Sequence, residues 1–233
     1  MLKVDLHLHT AEDPLDQIDH TAVDLVDRAA GLGFDALAIT LHDHQFADAG
    51  LAARARERGI TLIPGMERTI RGRHVLLLNF PAAAAEAVHT FDDVRRLKAR
   101  YDNGLVIAPH PFFPAGSALR GALPAHADLF DAVEWSFFWT RGINCNRFAA
   151  RWAAAHGKPL VGNSDLHDLK QLGRTYSLVN AERDTDAICE AIRRGDVRVV
   201  TAPVPLVELV DIFGRMILRG TKPAPPMVPV RDA

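Results

Sequence analysis

Asp5-Leu6-His7-Leu8-His9-Thr10 places a carboxylate and two imidazoles at alternate positions near the start of the chain. Alternation along a strand turns Asp5, His7 and His9 to one face and Val4, Leu6 and Leu8 to the other. Such a face is either solvated or built around a cation. Further histidines and acids resolve the choice, because they recur at the ends of other apolar runs. Asp13 follows the first run. His42, Asp43 and His44 follow the second, Glu67 the third, and His74 opens the fourth. His110 ends the fifth, in Ala-Pro-His-Pro, and Asp165 and His167 end the seventh, in Asn-Ser-Asp-Leu-His. One histidine at a strand end is an ordinary hydrogen-bonded residue. A set at so many ends, aimed at one mouth, is a metal centre. Imidazole and carboxylate without thiolate suit zinc, manganese or iron, and shared carboxylates favour more than one ion.

The elements that must position these groups alternate along the chain. Apolar runs at 3–9, 36–40, 61–64, 75–80, 105–108, 132–135 and 159–162 predict strands. Amphipathic stretches at 21–32, 51–58, 91–101 and 146–156 predict helices between them, with Gly33, Gly59, Gly104 and Gly157 as helix stops. This order predicts a parallel α/β fold, and about seven units predict closure into a barrel with the metal residues at its C-terminal mouth. A strand at 175–179, a helix at 185–194 and a strand at 197–201 continue the pattern. Residues 205–218 are apolar with helical spacing, which predicts a helix packed on the barrel. A Pro-rich tail, expected to be disordered, follows at 221–233.

Composition narrows the class. The chain has 233 residues, 48% hydrophobic and 24% charged, and a net charge of -2, which fits one large domain without a basic surface for long nucleic acid. Cys145 and Cys189 stand apart, so no disulfide framework or thiolate zinc site is expected. No signal peptide or membrane span is read from the sequence, and a cytoplasmic location is expected. No glycine-rich phosphate loop occurs.

Over residues 1–202 the chain resembles the PHP (polymerase and histidinol phosphatase) superfamily of metal-dependent phosphoesterases. The family's DxHxHT motif stands as residues 5–10, its second motif as Thr40-Leu41-His42-Asp43, and its glutamate segment as Gly65-Met66-Glu67 followed by His74. Pro109-His110-Pro111 and Ser164-Asp165-Leu166-His167 complete the series. The resemblance implies a distorted (β/α)7 TIM-like barrel that includes a C-terminal PHP-associated segment, with residues 203–220 as a helix outside it. It also implies three divalent ions. His7, His9, Glu67 and Asp165 would hold one, Glu67, His74 and His110 a second, and Asp13, His42 and His167 a third. Asp5 becomes a partner that orients a ligand. Leu41 departs from the family's usual aspartate, as does the aromatic run Trp-Ser-Phe-Phe-Trp at 135–139 from its usual lesser bulk.

The expected reaction is hydrolysis of a small phosphomonoester, nucleotides included, by water activated between two ions. His44, His167 and Asp43 are the candidate proton-handling residues. Arg68, Arg141 and Arg174 are the candidate phosphate binders, since guanidinium grips phosphate oxygens in pairs. The aromatic run reads either as core or as a surface that stacks a ring of the substrate. A phosphodiesterase or short 3′-5′ exonuclease is the next reading. A C–N hydrolase of the amidohydrolase type also uses HxH on its first strand, but it often needs a bridging lysine that these strand ends lack. A non-catalytic metal module would show missing ligands.

Overall fold

The computed structural model describes residues 1–222; residues 223–233, most of the expected Pro-rich tail, lie outside the described residues. Ten strands and eight helices follow in the order β1 (Leu2–Leu8), α1 (Ala22–Gly31), β2 (Ala36–Ile39), α2 (Ala49–Glu57), β3 (Thr61–Leu62), β4 (Gly65–Ile70), β5 (Arg73–Leu78), α3 (Ala82–Glu86), α4 (Phe91–Arg100) and β6 (Leu105–Ala108). After these come α5 (Ala122–Ala125), β7 (Ala132–Ser136), α6 (Asn146–Ala155), β8 (Leu160–Asn163), β9 (Tyr176–Val179), α7 (Thr185–Arg194), β10 (Val197–Val200) and α8 (Leu206–Arg219).

The strands form two five-stranded sheets, β10-β9-β1-β2-β3 and β4-β5-β6-β7-β8, and not the closed barrel expected from the sequence. The cause is local. Arg71 and Gly72 both take positive φ (50° and 74°), and Ile70 pairs with Arg73 across them. Two such residues make the tight turn that matches strand twist, so β4 folds straight back on β5 as an antiparallel hairpin with no helix between. Glu67 therefore sits within a strand, where the sequence reading put it in a loop. β9 is antiparallel to both of its neighbours, β1 and β10, and β5 is antiparallel to β6.

The two sheets meet at seams, and the seams carry the chemistry. At one, His42 and Glu67 form an isolated parallel bridge, with the Asp43 amide donating to the Glu67 carbonyl at 2.9 Å. At the other, Leu8 bridges Leu166, the His9 amide donates to the Leu166 carbonyl at 3.1 Å, and the Leu166 amide donates to the His7 carbonyl at 3.2 Å. Gly162 allows β8 to approach β9 here. A Cβ at this position would lie 2.7 Å from the Tyr176 carbonyl oxygen. Gly104 also works by close packing: it shows no positive φ, and a Cβ there would strike the Phe80 ring.

Apolar burial fixes each element's facing. Val4, Leu6, Ala36, Ala38, Leu76, Leu78 and Ile107 fill a core between the sheets, while Leu8, Leu25, Val26 and Leu37 hold α1 against the outside of the first. Capping boxes start α1 (Thr21 with Asp24) and α4 (Thr90 with Asp93), so their N-termini are satisfied locally. Helix α8 packs through Leu209, Ile212, Phe213 and Met216 on Phe137 and Phe138. No helix among the described residues is long and apolar enough to cross a membrane.

Candidate metal centre

His7 near the end of β1 and His9 just past it both reach the cluster with fully buried side chains. The register of β1 against β2 shifts between Asp5 and Leu8, so strict alternation breaks here and Leu8 leaves the face of Val4 and Leu6. Glu67 on β4 lies among five imidazoles. Its Oε1 is 3.3 Å from His7 Nε2, 2.8 Å from His74 Nδ1 and 3.1 Å from His110 Nε2. Its Oε2 is 3.2 Å from His42 Nε2 and 3.5 Å from His9 Nε2. Asp165 Oδ1 lies 3.4 Å from His7 Nε2, 3.7 Å from His9 Nε2 and 3.6 Å from His167 Nδ1. His110 and Asp165 both hold left-handed backbone (φ 27° and 48°), a conformation costly for non-glycine residues and concentrated where function over-determines the structure.

The imidazoles are aimed from behind. His7 Nδ1 meets Glu134 Oε1 at 2.9 Å, and the other oxygen of Glu134 accepts from the His110 amide at 2.6 Å. His9 Nδ1 and His42 Nδ1 each meet Asp13 Oδ2 at 3.0 Å. A carboxylate behind an imidazole fixes its ring and turns the other nitrogen to a cation. The result here is two fully buried nitrogens, His7 Nε2 and His9 Nε2, that face the carboxylates without a hydrogen-bond partner. A buried unpaired nitrogen is expensive, and a cation removes that cost.

The electrostatics agree with such a donor set. Burial opposes the charge on Glu67, but His74 and His7 outweigh it and hold the carboxyl well below its usual range. Asp165 is likewise lowered against burial by His7, His167 and His110. Burial together with the positive charge of His42 and His167 pushes His9 down to about 4, so it offers a neutral imidazole at neutral pH. His42 goes the other way: despite burial, its hydrogen bond to Asp13 and the charge of Glu67 raise it to about 9. Burial pushes Asp5 up to about 7, although the Ser164 and His7 amides donate to it.

Ligand atoms within 4.8 Å of one another gather as His7, His9 and Glu67; His7, His110 and Asp165; His42, Glu67 and His74; His9, Asp165 and His167; and His9, Asp13 and His42. All nine metal candidates from the sequence thus lie in one cluster. The groups differ from those the resemblance implies: His74 gathers with His42 and Glu67, His110 with His7 and Asp165, and His167 with His9 and Asp165. Asp13 associates with His9 and His42, while the carboxylate opposite His167 Nε2 is Asp16, at 3.0 Å. Asp16 and Glu134 escaped the sequence reading. Glu134 had a usable signal, a lone acid inside the apolar strand Ala-Val-Glu-Trp-Ser.

The other candidates are elsewhere. His44 is half exposed and pairs with Glu86 at 3.0 Å. Asp43 accepts from Arg68 at 3.1 Å and from the Thr69 amide at 2.7 Å, so this pair braces the turn after β2. Arg174 is tied to Glu208 of α8 at 2.9 Å, and Arg141 lines a separate surface hollow with Pro205 and Leu206. None of Asp43, His44, Arg68, Arg141 or Arg174 lines the cavity over the metal cluster, whereas His167 does. The physical reason is that strand-end loops curl away from the mouth when their side chains find partners in neighbouring loops. The aromatic run divides: Phe137 is core, Phe138 lines the cavity, and Trp139 Nε1 donates to Thr201 Oγ1 at 2.9 Å.

Residues 144–197 match the family model described as PHP-associated. A two-domain protein from Bacteroides vulgatus, containing a predicted PHP-like metal-dependent phosphoesterase, superposes with a TM-score of 0.67 over 92% of this chain and 69% of its own, at 20% identity. The chain has the fold of PHP-like proteins. PsfC from Pseudomonas syringae also superposes, with a TM-score of 0.63 over 94% of this chain and 97% of its own, at 17% identity. So does a lesion-specific endonuclease from Pyrococcus furiosus, with a TM-score of 0.60 over 98% and 74% of the two chains, at 16% identity. No curated protein matches the chain by sequence.

Proposed function

We propose that this chain is a metal-dependent phosphoesterase that hydrolyses a small phosphomonoester at a trinuclear PHP-type centre carried by residues 1–202, with residues 203–220 packed against it. The observation that carries the reading is the pair of buried, unpartnered nitrogens, His7 Nε2 and His9 Nε2, facing Glu67 and Asp165. The donor set of imidazoles and carboxylates fits zinc, manganese or iron. His7, His9, Glu67 and Asp165 hold one ion, and Glu67, His74 and His110 hold a second. His42 and His167 hold the third, with Asp16 as its carboxylate, because Asp13 is already engaged by two imidazoles. When bound, the ions supply charge neutralisation for the phosphate and a lowered pKa for water.

The chain's own residues then do three things. Glu134 and Asp13 keep His7, His9 and His42 oriented with their inner nitrogens forward. Glu67 and Asp165 stay ionised, which sets the anionic complement that the cations require. The cavity walls confine the ester above the cluster. Among the described residues, the cavity lining holds no titratable group beyond these candidate ligands.

Protein reconstituted with manganese, zinc or ferrous iron is expected to hold more than one ion per chain and to hydrolyse p-nitrophenyl phosphate. His9→Ala and Asp165→Ala should each lower kcat/KM by about 10³-fold or more while circular dichroism stays native. A metal content below one ion per chain, or undiminished activity in both variants, would overturn the reading. Preference for bis-p-nitrophenyl phosphate would make it a diesterase, and hydrolysis of amide substrates alone would make it a C–N hydrolase.

A further inference from the structure

The cavity above the metal cluster measures 230 Å³, below the range of about 300–1,000 Å³ usual for ligand pockets, and its two halves are chemically opposite. Its floor is Asp16, His42, Glu67, His74, His110, Asp165 and His167. Its wall is Phe113, Phe138, Phe213 and Met216, with Ala115 and a single hydroxyl, Ser117, completing the lining. Phe213 and Met216 come from α8, outside the PHP-associated match at 144–197. The three rings form one apolar surface: Phe138 and Phe213 stack with centroids 5.1 Å apart, and Phe113 lies 6.1 Å from Phe213 and 5.8 Å from Phe138.

The wall is anchored to the metal-bearing loops. Arg219 donates to the His167 carbonyl at 3.2 Å and pairs with Asp19. Lys222 Nζ donates to the carbonyls of Ala11 and Asp13 at 2.9 and 2.7 Å, and Arg174 holds Glu208 at the helix start. These cations are spent on the anchoring. No arginine or lysine among the described residues lines the cavity.

We infer that the wall made by Phe113, Phe138, Phe213 and Met216 selects phosphomonoesters of compact apolar or aromatic alcohols, and that α8 is the specificity element. The inference rests on the phosphoesterase reading above. Ions held by the floor would neutralise a single phosphate, and the organic group leaves water for the wall. A second phosphate, or the backbone of an oligonucleotide, would meet phenyl rings and a thioether where it needs a cation. Burying an anion against such a surface is costly. Removing a phenyl or benzyl group from water there contributes about 1.5–3 kcal/mol, which is a factor of about ten or more in affinity.

The test compares benzyl phosphate with glycerol 1-phosphate, whose leaving groups are both primary alcohols, and with fructose bisphosphate and a short oligonucleotide. Metal-reconstituted protein should favour benzyl phosphate in kcat/KM by about tenfold or more over each of the others. Calorimetry should show the same preference for benzylphosphonate over methylphosphonate, independently of turnover. Phe213→Leu and Met216→Gln, the second chosen to keep side-chain length, should each shrink both preferences severalfold, chiefly through KM. Equal or better turnover of glycerol phosphate, the bisphosphate or the oligonucleotide overturns the inference and leaves the phosphoesterase reading standing. Hydrolysis of no ester, together with a phosphonate preference that the variants abolish, overturns the phosphoesterase reading and keeps the apolar subsite. Loss of neither preference in the variants removes α8 from the argument.

Discussion

Glu67 is the residue on which the site turns. One carboxylate faces imidazoles from β1, β5 and the loops after β2 and β6, so every seam between the sheets is represented around it. Such a cluster without cations holds protons in their place. His42 is raised to about 9 by Asp13 and Glu67 against its burial, so it is protonated at pH 7 in metal-free protein. A cation that binds His42 must displace this proton. The affinity for metal is therefore expected to climb as pH rises toward about 9 and then to level off for this group. Titrating manganese into metal-free protein in buffers of different ionisation heat should show proton release at pH 7 and markedly less above pH 9. The sequence displayed the candidate ligands because each is a rare residue type at a regular place. It did not display Glu134 or Asp16, whose roles exist only through residues over a hundred positions away, His7 and His167.

At the level of elements, local signals marked the longer helices, missed the short α3 and α5, and failed at the hairpin. Thr21 with Asp24 and Thr90 with Asp93 are complete start signals within four residues, readable without any tertiary contact. Thr90→Ala is expected to destabilise the fold by about 1 kcal/mol without altering metal content, measured by urea denaturation and metal analysis. Asp93 shares in this cap. Hydrogen bonds from Thr90 and His89 hold it down to about 2, below the ordinary aspartate value. Its folded-state value is the depressed one, so its contribution is present above about pH 4 and is lost as pH falls through about 2. Strand β4 had no comparable signal, because Arg71 is not a residue that announces a left-handed turn; only the observed φ values reveal it. The final helix shows a related division. Its apolar spacing predicted packing, but which side faces Phe138 is decided by the anchors Arg219 and Lys222.

For the whole molecule, the centre is also a structural joint. His42 and Glu67 close one seam between the sheets, and the segment from His7 to His9 closes another against Leu166. Cations held there would tie the two sheets together and would bind the folded chain in preference to the unfolded one. Chelation is thus expected to lower the melting temperature, and re-addition of manganese or zinc to restore it; at a free-ion level about a hundred times Kd the gain is about 2.7 kcal/mol. Scanning calorimetry with and without chelator checks this, and an unchanged transition would show that the cluster adds nothing to the joint.

The sequence by itself determined the α/β class, the order of most elements and the nine residues that converge, because alternation, capping and residue chemistry are properties of short segments. Tertiary structure alone decided that the strands split into two sheets, that Asp16 rather than Asp13 faces His167, and that Asp43, His44 and the three arginines lie off the cavity. It alone brought α8 across the metal cluster as an apolar wall. The physical reason is distance along the chain: which partner a polar side chain satisfies, and which face a helix covers, depend on groups that meet only after folding.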